Sequence, residues 1–318
     1  MTSCFLLLPK LISCEEELDM GTSQQIPIIY CIFNRQDSIH QVVLSKTLWG
    51  YEDSRRMGKV FDSLFYEEAN VYFEYERSNT TKRIYLEKNL LYDKEPGFFS
   101  YPDHIVYQTS EKIPGIQKIG LFVEVPGLPI VSSIIDVLTS NKSELVQPHD
   151  NGVTIGIFED VPWRIELSNN SGWDYYREAK IELDIIEGNI YREEEIKKIS
   201  FNKIRYSNSI TPPWIEISWD RLMNEILYVI KKDPNVNYRK FGIIKLTLYK
   251  GDKYYEQYVQ SYYENNDYKM LPEYSNIENG LGLFSSKSYI IRENLRFKAY
   301  CVKDLVLDPR LNKLKFIR

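Results

Sequence analysis

Hydrophobic and polar positions alternate along most of this chain with a period of two, which is the pattern of half-buried β-strands. Ile26 to Asn34 is apolar and rich in β-formers, Asn34-Arg35-Gln36-Asp37-Ser38 is turn-like, and Ile39 to Lys46 resumes the strand pattern. Together they predict a hairpin. Leu48 to Ser63 is polar and irregular. Val71, Phe73 and Tyr75 then alternate with Tyr72, Glu74 and Glu76, and Lys82 to Glu87 is placed to pair with them across Ser78-Asn79-Thr80-Thr81. Ile119, Leu121, Val123 and Val125 share one face of a further strand.

Pro126-Gly127-Leu128-Pro129 breaks the pattern and reads as a junction between two units. Beyond it, strands are predicted over Ile130 to Leu138, Val153 to Phe158, Trp163 to Leu167 and around Ile181, Leu183 and Ile185, with a turn at Gly188-Asn189. Ile243 to Tyr249 and Tyr254 to Tyr262 flank Lys250-Gly251-Asp252-Lys253, a hairpin signal. One helix stands out. Ser218 is placed to cap it, Leu222, Met223, Ile226, Leu227 and Ile230 recur at helical spacing, and Asp233-Pro234 ends it.

Short strands with little helix predict an all-β protein: two immunoglobulin- or fibronectin-III-like β-sandwich domains in tandem, with one short helix in the second. The boundaries that follow are 26–125 for the first sandwich and 126–318 for the second.

The first 25 residues carry a different signal. Phe5 to Leu8 are apolar, Pro9-Lys10 interrupt, and Leu11-Ile12-Ser13 lead into Cys14. An apolar stretch ending in small residues is the pattern of a secretory signal, which assigns residues 1–13 to a signal peptide. Leu11-Ile12-Ser13-Cys14 resembles the lipobox of bacterial lipoproteins, and the resemblance implies a covalent lipid on Cys14, cleavage before it, and anchoring in the outer membrane. Glu15-Glu16-Glu17 and Asp19 follow at once, within an acidic linker over 14–25. They resemble the export signal of Bacteroidetes lipoproteins that face the cell exterior. The other reading of the same residues is a solvated tail with an ordinary thiol.

Composition narrows the function classes. The chain has 318 residues, 40 basic against 45 acidic, and a formal net charge of −5, so the basic footprint of a nucleic-acid binder is missing. Of the four cysteines, Cys4 leaves with the signal and Cys14 takes lipid, while Cys31 and Cys301 sit in strand-like runs and read as two separate buried thiols. His40, His104 and His149 lie far apart, without a second ligand at metal-binding spacing, and read as surface histidines. There is no Gly-x-Ser-x-Gly elbow, and Gly280-Leu281-Gly282 lacks the context of a dinucleotide loop. The chain therefore reads as non-catalytic, without a metal or a cofactor other than the Cys14 lipid.

The best binding candidates are aromatic. Tyrosine occurs 25 times. Tyr254, Tyr258 and Tyr262 share one face of the segment read as a strand, and Trp173, with Tyr175, forms a second cluster in a loop. A tyrosine row offers ring area together with hydroxyl groups, which suits a glycan or a peptide; the same row also suits burial under a neighbouring element.

Several stretches together are similar to an uncharacterised family of Bacteroidetes surface lipoproteins. They are the Cys-Glu-Glu-Glu-Leu-Asp start at Cys14, Ile29 to Asn34 with Val43 to Lys46, Ala69 to Phe73, the Pro126 to Pro129 junction, and Ser275 to Phe284. Members are often encoded beside TonB-dependent outer-membrane transporters. The resemblance implies an accessory role in nutrient uptake with such a transporter as partner, and it carries over no functional residue beyond Cys14. A structural or adhesive surface lipoprotein is the alternative, and a polymer hydrolase is a more distant one.

Overall fold

The computed structural model describes residues 25–48, 53–94, 99, 103–139, 145–147, 154–167, 176–191, 193–207, 214–264 and 274–318. For 145–147, 167, 176–177, 202–207, 214 and 262–264 it describes the backbone alone. The strands of the first half are β1 (Pro27–Phe33), β2 (His40–Lys46), β3 (Asn70–Arg77), β4 (Thr80–Tyr85), β5 (Glu87–Leu91), β6 (His104–Thr109), β7 (Lys118–Glu124) and β8 (Val131–Asp136). Two short helices, α1 (Ser54–Met57) and α2 (Phe61–Leu64), fill the stretch that looked irregular. The second half carries β9 (Leu145–Gln147), β10 (Thr154–Ile155), β11 (Trp163–Leu167), β12 (Tyr176–Asn189), β13 (Glu194–Ser207), β14 (Trp214–Ile217), α3 (Trp219–Val229), β15 (Val236–Gly251), α4 (Lys253–Glu264), β16 (Leu281–Phe297) and α5 (Ala299–Leu307).

The all-β reading holds. β1 and β2 form the first hairpin, with Ile29 opposite Leu44. Ser78 and Asn79 take positive φ values of 51° and 59° in the two-residue turn that joins β3 to β4. Serine and asparagine tolerate that backbone, and such primed turns match strand twist.

In the first half, the sheet β4-β3-β7-β8 faces β1, β2, β6 and the start of β16. Alternate residues from both layers fill the core. The Phe33 ring meets Phe73 edge-on at 5.7 Å, and Phe73 stacks on Phe284 at 6.1 Å. His40 belongs to this interior. It is 5% exposed and stacks on Phe33 at 4.9 Å, which corrects its reading as a surface histidine. His40 is the first residue of β2, on the face that turns toward the core.

In the second half, β13-β12-β15-β16 forms one layer. Ile181, Leu183 and Ile185 of β12 and Ile244, Leu246 and Leu248 of β15 point inward, against β14-β11-β9, α3 and α5. α3 starts where the sequence places it: the Ser218 hydroxyl accepts from Arg221 N at 3.2 Å, and Leu222, Met223 and Ile226 are buried.

One strand serves both halves. Leu281 to Ser286 of β16 pair in parallel with β1, and Lys287 to Leu295 pair antiparallel with β15. The result is a nine-stranded sheet, β13-β12-β15-β16-β1-β2-β6-β5 with β10 attached to β16, running through both units. Phe284 lies in the first core and Ile290 in the second. The Pro126 to Pro129 stretch, read as a junction between units, is the turn that joins β7 to β8, which pair directly. Its break in the hydrophobic pattern is that of a tight turn.

Two segments read as strands are helical. Tyr254 to Tyr262 lies in α4, and Cys301 lies in α5. Asp252 decides the first case. Its carboxylate accepts from Tyr255 N at 2.9 Å, and its carbonyl accepts from Glu256 N at 3.1 Å, so the residue caps a helix where a hairpin turn was expected. Cys31 and Cys301 are free and buried, as read from their separate positions.

Candidate functional site

Because β12, β15 and β16 bury one face, the residues between their core positions form a second, open face. Lys180 and Glu182 of β12 lie opposite Thr247 and Lys245 of β15. Tyr249 and Thr247 in turn lie opposite Tyr289 and Ile291 of β16. These side chains, with Lys287, floor a groove of about 420 Å³. Ile32 of β1 and the turn residues Asn34 and Asp37 form its far wall. The groove therefore sits where β16 passes from one core to the other.

Local hydrogen bonds fix that wall. Asn34 is buried, donates from its amide to Asp37 at 2.9 Å and accepts from Gln36 N at 3.0 Å. Gln36 in turn accepts from Tyr289 N at 3.2 Å, which ties the turn to β16. Burial raises the Asp37 carboxyl above its ordinary range, with His40 and Lys287 pulling the other way.

Two of the three lysines in the groove are neutralised locally. Lys180 pairs with Glu182 and Lys245 with Glu293, both at 3.2 Å and both solvated. Such pairs add little stability but keep the face polar and ordered. Lys287 differs. Its ammonium lies 4.3 Å from the centre of the Tyr249 ring and 5.2 Å from that of Tyr255, in cation–π contact with both. Burial lowers its pKa, and Glu178 and Asp37 act in the opposite sense. Tyr249 meets Tyr289 edge-on at 6.2 Å. The groove thus combines ring surface, hydroxyl groups and a half-buried cation.

The residues singled out from sequence are distributed unevenly around it. Tyr254 is half-buried against the first core. Tyr258 meets Tyr30 edge-on at 6.0 Å on α4. Tyr262 lies in α4 with its side chain outside the described residues, and Cys14, Trp173 and Tyr175 lie outside them altogether. Tyr255, from the other side of the tyrosine row, is the α4 residue that reaches Lys287. Lys287, Tyr249 and Tyr289 were missed. The signal was present in part, since Lys245, Thr247 and Tyr249 alternate with Ile244, Leu246 and Leu248.

Two other hollows lie elsewhere on the described surface. One of about 730 Å³ is lined by Asp220, Asp304, Asp308 and Arg310, but Arg310 already binds Asp220 at 2.8 Å and Asp308 at 2.7 Å. The other, of about 600 Å³, lies over Glu74, Arg77 and Lys118, away from the strand that the two cores share. Among the described residues no cluster of three or more His, Cys, Asp or Glu side chains is arranged to hold a metal ion. Among the same residues no helix is long and apolar enough to cross a membrane.

Comparison with known proteins finds no protein-family model that matches the chain and no curated protein that matches it.

Proposed function

We propose that the chain is a non-catalytic binding lipoprotein, held through a lipid on Cys14 to the outer membrane, exposed at the cell surface, and working with a TonB-dependent transporter in nutrient uptake. The observation that carries the binding role is the groove of Tyr249, Tyr289 and Lys287 on the open face of the shared sheet. Small-molecule sites are concave, partly aromatic and equipped with a few convergent polar groups, within a range of roughly 300–1,000 Å³. The groove fits that description. Its floor consists of strands, which hold side chains more rigidly than loops do.

The anchor and partner rest on the Leu11-Ile12-Ser13-Cys14 run, the acidic residues after it, and the family resemblance. With the lipid on Cys14 as anchor and the acidic residues after it as the export signal, the groove would stand outside the cell, where a ligand arrives before transport.

Affinity purification of the intact protein from membranes, with mass spectrometry of its N-terminus and its companions, tests this reading. A lipidated Cys14 together with a co-purifying TonB-dependent transporter supports it. A lipidated protein recovered in multiples of itself favours an adhesive or structural role instead.

A further inference from the structure

The groove's charges are balanced within the protein. Lys180 pairs with Glu182 and Lys245 with Glu293, both at 3.2 Å. Lys287 rests on the Tyr249 and Tyr255 rings and lies in the opposing fields of Glu178 and Asp37. A charged ligand therefore meets a like charge whichever sign it carries. An anion faces Glu182 and Asp37, a cation faces the lysines, and both juxtapositions oppose binding. A wholly apolar ligand fares no better, because it strips water from these groups without replacing its hydrogen bonds.

The floor narrows the choice further. β15 pairs with β12 on one side and β16 on the other, and β16 pairs with β15 and β1, so an extended peptide finds no free main-chain edge there. The groove offers side chains alone. Ile32, Tyr289 and Ile291 supply apolar surface, and the Lys180–Glu182 pair sets a donor beside an acceptor. A sugar matches both features, since its ring has an apolar face for the tyrosine and each hydroxyl both donates and accepts.

We propose that this groove binds an uncharged saccharide, its ring laid against Tyr289 and its hydroxyls bonded to the Lys180–Glu182 pair. The proposal names a ligand class for the groove and rests on the reading of that groove as the ligand site.

The test is calorimetric titration of the full-length protein with trisaccharides of glucose, galactose and mannose in α and β linkages, each beside its uronic-acid and amino-sugar counterparts. The expected result is binding of at least one neutral trisaccharide, with both charged counterparts at least tenfold weaker. Tyr289→Leu weakens that binding at least tenfold, and Glu182→Gln narrows the discrimination against the uronic acid, an effect that a merely structural role for Glu182 does not produce. The thermal midpoint of each variant verifies folding, and Ile32→Gln, on the exposed wall, replaces Tyr289→Leu if the latter does not fold. A charged counterpart bound as well as or better than the neutral sugar, with that binding lost in Tyr289→Leu, overturns the uncharged class and leaves the groove as the site. Absence of binding across the whole set, or binding that survives both Tyr289→Leu and Ile32→Gln, overturns the groove itself.

Discussion

Arg239 Nε donates to Glu187 Oε1 at 2.6 Å, and both side chains are almost fully buried. The pair joins β15 to β12 beneath the C-terminal segment. The rest of the guanidinium is also used: it donates to Leu314 O at 2.6 Å and to Lys231 O at 3.0 Å. The backbone of Arg239 exchanges bonds with Lys315 and Ile317. One residue therefore holds the end of the chain and the exit of α3 onto the sheet that carries the groove.

Replacing Arg239 with Met leaves Glu187 with Lys197 alone, 2.7 Å away, and removes the guanidinium donor from the buried Leu314 O and the partly buried Lys231 O. Breaking a buried pair from one side costs about 3–5 kcal/mol. Urea denaturation of the purified protein measures it. The double variant Arg239→Met, Glu187→Leu recovers part of the loss, because the buried carboxylate is gone and the charge left over, on Lys197, is 38% exposed to solvent.

Asp252 makes stability depend on pH. It is 5% exposed and caps α4, and Oδ2 accepts from Ser286 N at 2.7 Å. Burial pushes its carboxyl from an ordinary 3.8 to about 6, against the pull of these hydrogen bonds. The folded state thus holds this proton more tightly than the unfolded chain. The contribution is complete below about pH 4 and is lost as pH rises through about 6, a loss of about 3 kcal/mol. Denaturation midpoints measured between pH 4 and 7 show it, and Asp252→Asn removes that slope.

Asp308 acts with the opposite sign. The Arg310 guanidinium holds its carboxyl down to about 2, aided by the Trp219 indole N–H, and burial only partly opposes them. Its stabilisation is present above the unfolded value near 3.8 and fades as pH falls toward 2. Trp219→Phe removes one buried hydrogen bond and costs about 1–3 kcal/mol near neutral pH, as read by urea unfolding.

Gly282 is the fixed point of the shared strand. Its φ is +114°, and an added Cβ would stand 1.9 Å from Ile29 O, across the parallel β1–β16 pair. Gly282→Ala is expected to destabilise the protein by at least about 3 kcal/mol. Hydrogen exchange should show the loss first in β1.

The two inner thiols are shielded, Cys31 at 3% and Cys301 at 0% exposure, and burial raises both pKa values. A variant lacking Cys4 and Cys14 therefore reacts negligibly with a thiol reagent when native, and with two equivalents once unfolded.

What was legible in the sequence follows from how local each signal is. α3 was readable because its cap at Ser218 and its buried stripe of Leu222, Met223 and Ile226 lie within three turns. The hairpins β1–β2 and β3–β4 were readable because turn and alternation are adjacent. The strand that organises the molecule was not. Ser285, Ser286 and Ser288 are buried in β16, where it crosses between cores, so the apolar run breaks where the strand is most enclosed. Ser286 serves there as a polar tie, accepting from Leu138 N at 2.8 Å. Its parallel partner β1 lies near the other end of the chain, and no local pattern encodes that pairing.

The candidate site shares this problem. Tyrosines spaced by four lie on one side of a helix as well as one face of a strand, so Tyr254, Tyr258 and Tyr262 could be grouped from sequence but not placed. The Asp252 cap settles the choice through an aspartate that also reads as a hairpin turn. Lys287 becomes notable only when β15 and α4 bring Tyr249 and Tyr255 to it.

The measurement that tests the central claim most directly is fractionation of cells expressing the full-length protein and its Cys14→Ala variant. The unmodified protein is expected to sediment with the outer membrane and to be accessible to protease added outside intact cells, and Cys14→Ala to be released into the soluble fraction with its fold intact. Retention of Cys14→Ala in the outer membrane at the level of the unmodified protein would contradict it.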